Sequence, residues 1–88
     1  MTVTDDANKA LRTMRDELVE LRDVVRLKLH LGSMDLKDRF HAVEPDVRAF
    51  EHRAEQATAD VSQEVREGFV HLKRALERIR DELRSSEA

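Results

Sequence analysis

Two small groups of side chains have the types and spacing for metal chemistry. Asp38 and His41 stand three residues apart, and Glu51, His52 and Glu55 form a similar group further on. Positions i and i+3 share a helix face, so such pairs can aim two ligands at one ion. Carboxylate-bridged di-metal sites between helices need more. They take a Glu-x-x-His from each of two helices, plus further inward-facing glutamates. No Glu-x-x-His occurs in this chain. The candidate ligands also fall off the apolar positions, so they are expected on a solvated helix surface, with no metal and no cofactor.

Nucleophilic chemistry has less support still. Ser33, Ser62, Ser85 and Ser86 lack a strand–turn–helix context that would expose a nucleophile. There is no cysteine, which removes thiol chemistry, thiolate metal sites and disulfides together. Only two glycines are present, so no Gly-rich loop can cradle a phosphate. No Trp or Tyr supplies a large anchor for a small molecule or a stacking base. The expected class is not an enzyme.

Charge offers a different chemistry. Arg12, Arg15, Arg22, Arg26 and Lys37 fall on one flank of a single helix, in a sector roughly 80° wide at ~100° per residue. Such a strip could face the phosphates of nucleic acid or of a membrane surface. Asp16, Glu20 and Asp23 lie close by, however, and the formal net charge is −3, which opposes nonspecific phosphate binding. The flank therefore stands second, behind a reading in which its arginines pair with acids on neighbouring helices.

The elements that must position these groups are helices. Forty per cent of the residues are charged, both signs are interleaved, and Ala, Leu, Glu, Arg and Lys dominate; that is the composition of long helices. Leu11, Met14, Leu18, Leu21, Val25, Leu29, Leu36, Phe40 and Val43 recur at three-, four- and seven-residue steps and form one stripe. Val47, Phe50, Ala54, Ala57, Val61, Val65, Phe69, Leu72, Leu76, Ile79 and Leu83 continue it in the second half. Arg26 to Leu31 alternates with period two. Helical spacing flanks that run on both sides, so it reads as helix too.

Two places could break the helix. Gly32 can close one helix and Ser33 can cap the next. Pro45 suits the first turn of a new helix, where its missing N–H costs nothing. We place the turn at about 42–45. The expected fold is an all-α, coiled-coil-like antiparallel two-helix hairpin in one domain, 1–88, with helices at about 4–42 and 45–84. In that register residue i faces about 88 − i, so Gly32 meets Ala54 and Ala57 at a close helix crossing. Leu36 then lies near Phe50, and Leu18 near Phe69. A turn at Gly32 would destroy this match.

Val24, Leu27, Leu31 and Met34 lie roughly opposite the main stripe. A single 88-residue chain buries only about 60–65% of its unfolded surface, so a monomer would be marginal. These four residues are expected to form a seam through which two hairpins make a homodimer, a four-helix bundle. If the helix broke at Gly32, they would instead turn into the chain's own core. The expected function is an oligomerising helical scaffold whose main partner is itself, or else another helical protein. The alternative is an anionic surface, nucleic acid or membrane lipid, met by the arginine flank. No apolar run approaches a membrane span, and the acidic start Met1 to Asp6 argues against a secretory signal, so a cytoplasmic location is expected.

Overall fold

A computed structural model describes residues 3–56 and 63–87, with side chains placed for 9–55 and 63–85. Helix α1 runs Val3–Lys28, a single 3-10 turn covers Leu29–Leu31, α2 runs Met34–Gln56 and α3 runs Gln63–Glu87. No strand occurs among the described residues, and no helix there is long and apolar enough to cross a membrane.

The first break lies at Gly32. Arg26 and Lys28 sit in the last turn of α1, where cations favour the negative end of the helix dipole. His30 Nδ1 lies 3.1 Å from the Leu27 carbonyl, which can only accept, so Nδ1 donates. The Gly32 N–H closes the 3-10 turn on the Leu29 carbonyl at 3.0 Å. Ser33 then caps α2: its Oγ accepts from the Leu36 N–H at 3.2 Å, and its carbonyl from the Lys37 N–H at 3.1 Å. Ser33→Ala should lower stability by about 1 kcal/mol. Urea unfolding checks this, with Ser33→Asp retaining the cap.

Gly32 itself has an extended backbone, φ −88° and ψ 163°, which any residue adopts. Close approach is what requires a glycine. A Cβ there would stand 2.8 Å from Leu83 Cδ2 and 3.3 Å from Leu36 Cβ. The start of α2 is thus pressed against the end of α3.

Pro45 lies inside α2 and does not end it. The residue is exposed, so the His41 carbonyl left without its N–H partner can turn to water. The core spacing Phe40, Val43, Val47, Phe50 passes through it in unbroken helical phase, and burial of that face holds the helix together.

Side-chain contacts fix the directions. Arg22 reaches Glu51 and Arg26 reaches Glu44, so α1 and α2 are antiparallel. Arg39 meets Glu82 and Phe50 meets Phe69, so α2 and α3 are antiparallel as well. Lys73 meets Glu17 and Leu83 faces Gly32, which makes α1 and α3 parallel. Each helix packs against both others around one core. Leu11, Leu18 and Val25 from α1, Leu36, Phe40, Val47, Phe50 and Ala54 from α2, and Val65, Leu72, Leu76, Ile79 and Leu83 from α3 are buried in it.

The all-helical class stands, but the two-helix hairpin does not. There are three helices, the chain turns at Gly32, and no turn exists at 42–45. The 88 − i register falls with it. Leu36 and Phe50 lie on one helix, about 21 Å apart along its axis. Gly32 and Ala54 flank opposite ends of α2, roughly 30 Å apart. The small residue Gly32 therefore faces Leu83, not Ala54, and Ala57 lies outside the described residues. With three helices in each chain, pairing of two chains would not give a four-helix bundle.

Candidate interaction surface

The four residues of the second stripe gather where α1 gives way to α2. Val24 and Leu27 are on the last turns of α1, Leu31 ends the 3-10 turn, and Met34 is the first residue of α2. The helix does break at Gly32, yet the break does not carry these side chains inward. Leu27 is 77% and Met34 70% exposed, with Leu31 at 43% and Val24 at 37%. Of the other large apolar side chains described, only Val70 on α3 is comparably open. The physical reason lies in the opposite face: Leu18 and Val25 fill the core, and a stripe on the far side of α1 meets no further helix among the described residues.

Val24 also lines a groove of about 330 Å³ between α1 and α3. Leu21 stands beside it, and Glu17, Glu20, Lys73, Glu77, Arg80 and Arg84 form the walls. Lys73 Nζ sits 3.4 Å from Glu17, and Arg80 bonds its neighbour Asp81 at 3.3 Å. The apolar corner and this groove share one side of α1, since Glu17, Glu20, Val24, Leu27 and Leu31 fall within one sector roughly 80° wide.

The arginine flank lies along α1 facing α2, and its charge is largely spoken for. Arg15 pairs with Asp16 at 3.0 Å; Arg22 pairs with Asp23 and Glu51, both at 3.3 Å; Arg26 pairs with Glu44. Arg12 is exposed. Lys37 belongs to α2, so the flank is not a single helical strip. Two inter-helix ion pairs here clamp α1 to α2.

Glu44 carries the clearest electrostatic signature. The hydrogen bond from the Arg26 guanidinium, against a smaller opposing effect of burial, holds its carboxyl below the usual glutamate range; Arg48 and Arg22 add to the pull. Arg26 is correspondingly held more firmly protonated, first by the same hydrogen bond. A carboxyl whose folded pKa is depressed stabilises the fold above its unfolded value, ~4.3, and loses that contribution as pH falls through the folded value. Glu44→Gln should therefore lower Tm at pH 7. The gap to the parent protein should narrow as thermal scans are taken below pH 4.

The metal-type groups are not assembled. Asp38, His41, His52 and Glu55 are exposed, and Glu51 is engaged by Arg22. Among the described residues no three His, Asp or Glu side chains converge for an ion. A separate groove of about 750 Å³ runs along α3, lined by Arg66, Val70, Arg74 and Arg78 together with His71 and Glu67. Its arginines have no ion pair among the described residues. Their spacing of eight and four residues, which sets them on one helix face, was the signal available in the sequence.

No protein-family model, curated protein or solved structure matches the chain.

Proposed function

We propose that this chain is a non-enzymatic helical module that associates with itself, in the cytoplasm, and serves as a scaffold or adaptor within a larger assembly. One observation carries the reading. Leu27, Met34, Leu31 and Val24 stand open to water beside a core that already takes up the main stripe. Contiguous apolar surface of this kind marks contact sites far more often than single exposed residues do. Burying it would stabilise an assembly by roughly 1.5–3 kcal/mol for each side chain fully covered, before ordering costs. The flanking charges would set orientation and partner choice.

The test is Leu27→Asp combined with Leu31→Asp. Both side chains lie outside the core, so far-UV circular dichroism should keep the helical signal while light scattering reports a single chain. An oligomer of unchanged mass would refute the seam.

A second reading keeps the anionic-surface alternative but moves it. Arg15, Arg22 and Arg26 on α1 are occupied by carboxylates, whereas Arg66, Arg74 and Arg78 on α3 line an open groove. Phosphate binding there would weaken steeply between low and physiological salt, while an apolar seam would hold or tighten. Retention on heparin at low salt, lost in Arg74→Ala with Arg78→Ala, would support this second site.

A further inference from the structure

The groove between α1 and α3 is polar in a literal sense: its charges are sorted along its length. Because the two helices run parallel, Glu17, Glu20, Lys73 and Glu77 occupy one end, and Arg80 and Arg84 the other. Glu17 and Lys73 neutralise one another. That leaves Glu20 and Glu77 as net acid at the first end, without ion pairs among the described residues. At the other end Arg84 has no ion pair among the described residues, and Arg80 has only its exposed neighbour Asp81. Leu21 and Val24 line the same groove from α1, with Leu27 next on that side of the helix.

An arrangement with acid at one end, base at the other and an apolar strip alongside is complementary to itself when turned end over end. We infer that the occupant of this face is a second copy of the chain, docked antiparallel about a two-fold axis beside Val24, so that Glu20 and Glu77 of each copy meet Arg80 and Arg84 of the other. The inference rests on the self-association proposed above and adds its geometry. Isologous contacts of this type close at two copies, which bounds the assembly. The dimensions agree: the molecule measures 48 × 20 × 18 Å, and one long side suffices for the ~800 Å² per partner of a stable interface. A parallel arrangement would set acid against acid and arginine against arginine, a like-charge juxtaposition that costs several kcal/mol.

The experiment is a charge swap on the full chain. One variant carries Glu20→Arg and Glu77→Arg; the other carries Arg80→Glu and Arg84→Glu. Each alone presents like charges to its own copy, and self-association measured by sedimentation should weaken about 100-fold or more. Mixed one to one, the two variants should form a heterodimer, visible by native mass spectrometry, with affinity recovered. Recovery on mixing also shows that each variant folds. The inference is overturned if either variant alone keeps the parent's self-affinity, or if the mixture stays single-chain. A parent dimer that Leu27→Asp disrupts but these swaps leave intact would overturn only the antiparallel geometry. A parent that is a single chain at every concentration would overturn the self-association itself.

Discussion

Pro45→Ala should make this protein more stable. Pro45 stands well inside α2, eleven residues beyond Met34. An interior proline lacks the N–H that would bond the carbonyl four residues back, here that of His41, and its ring crowds that carbonyl; the cost is ~3 kcal/mol relative to alanine. Part of the gain is offset, because proline also restricts the unfolded chain by roughly 0.4–1 kcal/mol. A net gain of about 2 kcal/mol would raise Tm by about 8–16 °C in a domain this size. The sign is decisive for the fold. Were Pro45 at the first turn of a new helix, alanine would give no such gain. Thermal unfolding followed at 222 nm reads the answer directly, and an unchanged or lower Tm would contradict a continuous α2.

Phe40→Ala should have the largest destabilising effect. Phe40 is 1% exposed, on the face of α2 that looks into the core shared with α1 and α3. Removing a buried phenyl ring loses its transfer free energy and leaves a cavity, together about 3–5 kcal/mol. A domain of 88 residues has only ~4–13 kcal/mol in all. The variant should therefore unfold at markedly lower urea, and a substantial fraction should be unfolded at 37 °C. Leu27→Ala is the contrast: a larger side chain than alanine is removed from an outward position, and the fold of the single chain should change by no more than about 0.5 kcal/mol. Comparable losses for the two would mean that Leu27 is not outside the core.

The core was legible from spacing alone. Leu11, Leu18, Val25, Leu36 and Phe40 from the first stripe, and Val47, Phe50, Leu72, Leu76, Ile79 and Leu83 from its continuation, are buried as their periodicity requires. Periodicity says which side of a helix is inside; it does not say where the chain reverses. The stripe runs in phase through Pro45, where the helix continues, and also through Gly32, where it stops. At Gly32 the deciding facts were non-local: the Ser33 cap offered a clean restart, and Leu83 from the far end of the chain needed the space of a missing Cβ. Helices α2 and α3 run antiparallel, yet the sequence between Gln56 and Gln63 holds no Gly or Pro to announce a second reversal.

The candidate surface was legible to a different degree. That Val24, Leu27, Leu31 and Met34 sit opposite the main stripe follows from the 100° step. The expectation that a break at Gly32 would fold them inward did not follow, because the break turns the chain without changing which side of α1 the core occupies. The pairing of Arg22 with Glu51 and of Arg26 with Glu44 could not be read at all without the true register of α1 on α2. The sorted charges of the α1–α3 groove depend on the parallel direction of those helices, which a two-helix hairpin does not contain.

The most direct test of self-association is the molar mass of the unaltered chain in solution, by light scattering at two concentrations a hundredfold apart. A self-associating chain should show twice the chain mass of 10.2 kDa at the higher concentration, falling only on dilution. A folded, helical species of 10.2 kDa at both would contradict it.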